Sequence, residues 1–193
     1  MQTKRLKGYH YGMVEESPIT LRDFDLLKAA VSFTKEDELH LRKAGAILSD
    51  QINNILDTWY EFIGHQQHLL HYFMEKGQAN LTYLTSVRKR IGQWIKDVCF
   101  RAYDQDWLNY QHEIALRHHR VKKNVTDGVH APPFIHYRYM IAFIHPFTTS
   151  IKPFLARKGH TEAEVEAMYN AWFKAVILTV TLWTQPYIKE GDF

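Results

Sequence analysis

Apolar residues recur at intervals of three and four along most of the chain, which is the spacing of one face of an α-helix. Between residues 81 and 100, for example, one stripe consists of Leu84, Val87, Ile91, Trp94, Ile95 and Val98. The alternating patterns and two-residue turns that are typical of β-hairpins are nearly absent. This spacing predicts an all-α chain.

Polar caps and glycines divide the first half of these stripes into helices. A short helix is predicted over residues 21–30. Thr34 precedes a longer helix, which is predicted to end at Gly64 and to bend near Gly45 or Asp50.

The middle of the chain has weaker periodicity at two places. Residues 65–80 are predicted to be an irregular linker before a helix over 81–100. Asp104 can cap the next helix, and the glycine and prolines of 122–133 predict a break after it.

Two long helices are predicted to complete the chain. One covers residues 134–157 and should be kinked by Pro146 and Pro153. The other begins at a capping box opened by Thr161 and continues to about Gln185. Six to eight helices in one domain over residues 1–193 are therefore expected, but bundles and globins share this signature.

Composition excludes several classes of protein. The net charge of +3 comes with only one dense basic stretch, residues 117–123, so nucleic-acid binding is not predicted. Neither a signal peptide nor an apolar run of about 18 residues is visible, so no membrane span is predicted. The single cysteine, Cys99, excludes an internal disulfide and fits a reducing cytoplasm, which is the expected location.

His118 lies at the end of an apolar helical stripe formed by Trp107, Gln111 and Ile114. A neutral imidazole in such a place can present one nitrogen lone pair to a haem iron. On the pattern alone, a buried structural histidine is the more common explanation. His119 points about 100° away, so both residues cannot bind one iron.

Several motifs along the chain match one known family in the right order. They are Gly8–Gly12, Ile55–Tyr60, Leu116–Arg120 followed by Lys122–Asn124, Lys152–Thr161, and Gly191–Phe193. Together these segments resemble the protoglobins, the single-domain relatives of globin-coupled sensors. The resemblance covers essentially the whole chain.

The resemblance implies a globin fold with an extra N-terminal helix and an N-terminal extension that helps to bury the cofactor. The implied cofactor is haem b, the implied ligands are O₂, CO and NO, and the implied proximal iron ligand is His118. The residues implied to contact the cofactor or its gas are Trp59, Tyr60, Phe73, Leu84, Val87, Ile91 and Phe143. Members of the family dimerise through their last two long helices, and the apolar run 171–183 also favours a homodimer.

Three positions depart from the family pattern. Ile91 stands where a phenylalanine is expected, which predicts a roomier distal pocket. His71 and His145 stand where tyrosines are expected. His71 is either a surface exchange or a group close enough to contact bound ligand or the ferric iron. Tyr60 is predicted to be the main hydrogen-bond donor to O₂, with His71 as its rival.

Three classes of function remain open from the sequence. Reversible gas binding, as a sensor or carrier, is favoured. A haem enzyme, such as an NO dioxygenase or a peroxidase-like protein, is the alternative, although dioxygenation needs an electron source and no flavin or nicotinamide domain is visible. The third class is a helical interaction module without a cofactor.

Overall fold

The computed structural model describes residues 6–193, so the first five residues of the predicted domain lie outside the described part. Ten α-helices occur in that part. They are α1 (Leu21–Ala30), α2 (Lys35–Leu48), α3 (Ile52–Gly64), α4 (Gln67–Leu70), α5 (Leu81–Phe100), α6 (Gln105–His118), α7 (Tyr137–Ala142), α8 (Ile144–Thr149), α9 (Lys152–Leu155) and α10 (Glu162–Thr184). The all-α prediction is confirmed.

Side-chain caps form at several helix starts, including the predicted ones at Asp104 and Thr161. Asn80 accepts a hydrogen bond from the backbone N–H of Tyr83, and Asp104 accepts one from Trp107. At the start of α10, Thr161 and Glu164 each accept the other's backbone N–H. A cap of this kind is worth about 1 kcal/mol, because it satisfies an N–H group that the helix leaves free.

The long helix predicted between residues 34 and 64 is two helices, because α2 and α3 are separated at residues 49–51. The break lies at Asp50, one of the two predicted positions. Gly45, the other, lies inside α2, where a Cβ atom would be 2.6 Å from the Cβ atom of Cys99. A glycine at this point lets α2 approach α5 more closely than a side chain would allow.

The helix predicted over residues 134–157 is likewise divided, into α7, α8 and α9. Pro146 and Pro153 each lack an N–H donor, and each ring clashes with the carbonyl four residues earlier. Those carbonyls belong to Ala142, where α7 ends, and to Thr149, where α8 ends. The prolines therefore end helices here rather than kink a continuous one.

The predicted linker 65–80 contains short elements that the sequence did not indicate. After α4, residues 71–73 form one turn of 3₁₀-helix, and strands β1 (Met74–Glu75) and β2 (Gln78–Ala79) pair antiparallel, with Met74 opposite Ala79. Elements of two to four residues are too short to show a period, which is why the sequence did not reveal them.

Helix α10 lies at the centre of the molecule and packs against α2, α6, α7, α8 and α9. Most of its apolar run is therefore buried within one chain, with Trp172 and Leu178 fully inaccessible. The argument that this run needs a second subunit to cover it was wrong, because one chain already surrounds the helix. Among residues 6–193 no helix has both the length and the apolar character needed to cross a membrane.

Candidate functional site

An apolar cavity is lined by residues of the helices α3 to α8 and α10 and of the turn at residues 71–73. Its wall is mainly aromatic and aliphatic. The apolar lining residues are Ile63, Leu69, Tyr72, Phe73, Tyr83, Val87, Ile91, Trp94, Tyr110, Ile114, Ile135, Met140, Phe143, Phe147, Val180 and Trp183. A cavity of this character suits a large flat apolar ligand.

His118, the last residue of α6, also lines this cavity. Its Nδ1 lies 2.9 Å from the carbonyl oxygen of Ile114, one helical turn earlier, and therefore carries the proton that it donates. Burial lowers the pKa of His118 to about 4, although the bond to Ile114 acts in the opposite direction. The imidazole is thus neutral at physiological pH, and Nε2 keeps a lone pair.

The orientation of this imidazole is fixed from α10. The ring of Trp183 stacks on that of His118 with a centroid distance of 5.0 Å. The indole Nε1 of Trp183 donates to Oε1 of Gln111, which is fully buried on α6. Ile114 of the predicted stripe therefore holds the histidine ring directly, and Gln111 of the same stripe holds it through Trp183.

His119 lies outside the cavity wall. Its ring packs edge-on against Tyr187, with centroids 5.0 Å apart. Because His118 lines the cavity and His119 does not, the geometry favours His118 as the metal-binding histidine of the pair.

The residues that the family resemblance implied for the distal side fall into two layers. Phe73, Val87, Ile91 and Phe143 line the cavity together with His118.

Trp59, Tyr60 and Leu84 lie behind this first layer. Trp59 packs on Phe147 at 4.6 Å between ring centroids, and its Nε1 donates to Ser150. The Tyr60 hydroxyl donates to the carbonyl of Leu84 at 3.3 Å rather than into the cavity. Burial raises the pKa of Tyr60, which keeps the hydroxyl protonated.

His71 is exposed and does not line the cavity. It packs edge-on against Tyr72, whose buried ring occupies the wall instead. This position agrees with the first of the two alternatives, a surface exchange, because the 3₁₀ turn directs adjacent side chains to different sides. His145, the other histidine at an expected tyrosine position, is also exposed.

One end of the cavity carries charged side chains. Arg90 forms an ion pair with Asp127, and both residues line the wall. Arg117 pairs with Glu113 at 2.8 Å and also lines it. Lys123 is a third cation at this end, with an exposed fraction of only 4%.

The N-terminal segment packs against the same end. Arg117 donates to the carbonyl of Gly8, and Arg90 donates to that of Lys7. The Tyr9 hydroxyl bonds both carboxylate oxygens of Asp97 at 2.9 and 3.0 Å. Gly8 has φ of +76°, and a Cβ atom there would lie 2.7 Å from Thr126. A residue with a side chain would therefore hold this segment away from the cavity end.

Several residues of the site were missed by the sequence reasoning, namely Tyr72, Tyr83, Arg90, Lys123, Asp127 and Trp183. Trp183 belongs to the apolar run 171–183, and Lys123 belongs to one of the motifs of the family resemblance. Their convergence on one cavity depends on how distant segments pack, which a local pattern does not show.

The described residues contain no group of three His, Cys, Asp or Glu side chains that could hold a free metal ion. A metal bound through His118 must therefore bring most of its own donor atoms. Haem fits this requirement, since the porphyrin supplies four nitrogens and a protein need supply only one axial ligand.

The helical fold and the histidine-bearing apolar cavity define the chain as a globin, the class of protein that binds haem. More specifically, it belongs to the protoglobin family, whose family model matches residues 20–193. Among solved structures, the chain is similar to the globin domain of the globin-coupled sensor of Geobacter sulfurreducens. The TM-score is 0.66 at 13% identity, covering 86% of this chain and 97% of that one. No curated protein matches the chain.

Proposed function

We propose that this protein binds haem b in the apolar cavity, with His118 as the proximal iron ligand, and that it reversibly binds O₂, CO or NO as a sensor or carrier. The observation that carries this proposal is the state of His118. A neutral imidazole faces an aromatic cavity, with its Nδ1 proton donated to Ile114 and its Nε2 lone pair free for a metal.

The chemistry of the cavity wall also fits the rest of the cofactor. Haem is a flat apolar ring with two carboxylates on one edge, so it needs an apolar slot with cations at one end. The cavity offers aromatic rings along its length and places Arg90, Arg117 and Lys123 at one end. These residues would hold the carboxylate edge.

When bound, haem supplies an iron with one open position for a diatomic gas. The residues of this chain control the space around that position. Ile91 and Phe143 present hydrocarbon surface to the cavity, which would exclude the water that promotes oxidation of the iron. The Tyr60 hydroxyl can donate to O₂ only after it releases the Leu84 carbonyl.

The direct test is the absorption spectrum of the purified protein with added haem. We expect a 1:1 complex with a sharp Soret band and, after reduction, a shifted band under CO. A broad spectrum that is identical to free haem, with no saturation at one equivalent, would contradict the proposal. The same spectrum separates a haem protein from a helical module without a cofactor.

We also propose that the protein is a homodimer that associates through α10 and the preceding helices. Although most of α10 is buried within the chain, three large apolar residues of this region remain exposed. They are Phe173 on α10, at 40%, and Tyr137 and Ile141 on α7, at 44% and 43%. These residues lie on helices that contact each other, and exposed apolar groups are what the centre of an interface between copies requires.

A further inference from the structure

Lys123 carries a buried charge with no compensating carboxylate. Its Nζ donates to the backbone carbonyl of Tyr72 at 2.9 Å and lies 5.4 Å from the centre of the Tyr83 ring. Among residues 6–193, no carboxylate lies within 4 Å of this Nζ, and residues 1–5 contain no acidic side chain. Since Tyr72 and Tyr83 both line the cavity, the ammonium group lies at the cavity wall.

The neighbouring cations differ from Lys123 because each already has an acidic partner. Arg90 is neutralised by Asp127, and Arg117 by Glu113. Lys122, the adjacent residue in sequence, bonds Glu113 at 2.8 Å and is partly exposed. Among residues 6–193, the uncompensated charge at this end of the cavity is therefore that of Lys123.

A buried cation without a partner destabilises the protein, because the interior does not replace the water lost from the ammonium group. Burial accordingly lowers the pKa of Lys123 to about 8. One hydrogen bond to a carbonyl leaves two N–H groups of the ammonium free. A carboxylate entering the cavity would satisfy them and remove the cost.

We propose that Lys123 is the residue by which the cavity recognises a carboxylate on its ligand, so that the site discriminates a carboxylate-bearing macrocycle from its uncharged ester. The inference rests on the proposed function, in which the carboxylate is a haem propionate. It goes further by assigning the discrimination to Lys123 rather than to the two paired arginines. A lysine that only ties its loop to Tyr72 would give no such discrimination.

The test compares the binding of haemin and haemin dimethyl ester to the haem-free protein, followed by quenching of tryptophan fluorescence. The native protein should bind haemin at least tenfold more tightly than the ester. In Lys123→Met, haemin affinity should fall about tenfold while ester affinity stays unchanged. Lys122→Met is the matched control and should behave like the native protein, and Lys123→Arg should keep the preference for haemin.

The outcomes separate this inference from the proposed function. If neither macrocycle binds the native protein, the proposed function fails, and this inference fails with it. If haemin binds but Lys123→Met keeps the native preference over the ester, only the assignment to Lys123 is overturned. It is also overturned if Lys123→Met and Lys123→Gln both lose their helical circular dichroism in the haem-free state, since the lysine would then be structural.

Discussion

The imidazole of His118 and the indole of Trp183 lie stacked, with ring planes inclined by 25° and centroids 5.0 Å apart. The two residues are 65 positions apart in sequence, on α6 and α10. Because Trp183 is itself held by Gln111 and His118 by Ile114, rotation of the imidazole would break contacts on both sides. The ring is therefore preorganised to direct Nε2 at one position in the cavity.

We expect His118→Ala to lose stable haem binding, because the chain then offers no axial nitrogen at this wall of the cavity. His119→Ala should retain it, since that ring packs on Tyr187 outside the cavity. Haem retention through a desalting column and the ferrous CO spectrum measure the difference. Added imidazole should restore the spectrum of His118→Ala, and loss of the spectrum in His119→Ala alone would reverse the assignment.

Tyr60→Phe should raise the O₂ dissociation rate by roughly fivefold. A hydrogen bond to a partly charged ligand is worth about 1.5–3 kcal/mol, but the hydroxyl must give up a bond to Leu84 worth about 0.5–1.5 kcal/mol. The net loss of stabilising free energy for bound O₂ is on the order of 1 kcal/mol, and a loss of about 1.4 kcal/mol would raise the dissociation rate tenfold. Stopped-flow release of O₂ measures it, with the exposed His71→Leu as a control that should leave the rate unchanged. Faster release of O₂ in His71→Leu would instead identify His71 as the hydrogen-bond donor to bound O₂.

Gly45→Ala should destabilise the protein by about 1–3 kcal/mol, since the new methyl group would overlap side-chain atoms of Cys99 and Phe100 on α5. Gly64→Ala provides the contrast. No atom lies within 4 Å of a Cβ added there, so the substitution should stabilise the protein by about 0.4–1 kcal/mol. Urea unfolding of the two variants gives both values, and equal midpoints would contradict the close packing of α2 on α5.

Phe173→Glu should shift the protein from dimer to monomer, because a carboxylate would be buried in an apolar contact between copies. Sedimentation velocity at micromolar concentration measures the shift. Leu81→Glu, at an exposed apolar position at the start of α5, should leave the association unchanged. A native protein that already sediments as a monomer would disprove the dimer.

Lys123 predicts a pH dependence of stability in the haem-free protein. Its pKa is about 8 when folded and the usual 10.5 when unfolded, so between these values the unfolded state binds more protons. Stability contributed by this residue therefore rises with pH over that interval. The free energy of unfolding of the native protein should increase relative to that of Lys123→Met between pH 8 and 10.5. A constant difference across these pH values would show that folding does not lower the pKa of Lys123.

Helix positions were predictable where a long stripe and a cap coincided. Asp104 and Thr161 begin helices as expected, because capping is a local interaction of neighbouring residues. Pro146 and Pro153 were recognised as disruptive, but whether a proline kinks or ends a helix depends on what packs around it. The three short helices α7, α8 and α9 each pack against α10. Three short helices can follow that surface more closely than one straight helix would.

The site was predictable only in part, for a similar reason. His118 could be singled out because it continues an apolar stripe on its own helix, and the family resemblance then implied its role as iron ligand. Tyr72 and Lys123 could not be found in this way, since both lie outside the long helices. They meet through a hydrogen bond from the Lys123 side chain to the Tyr72 backbone, and the two residues are 51 positions apart in sequence. The prediction for Tyr60 named a residue near the cavity, but the direction of its hydroxyl depends on the position of α5.

The N-terminal segment has a consequence for how a bound molecule leaves. Arg90 and Arg117 belong to the cavity wall, yet both also hold the backbone of Lys7 and Gly8. The segment cannot detach unless both guanidinium groups lose these acceptors. Opening of the cover and disturbance of the charged end are therefore coupled. The rate at which a bound molecule escapes should consequently depend on ionic strength.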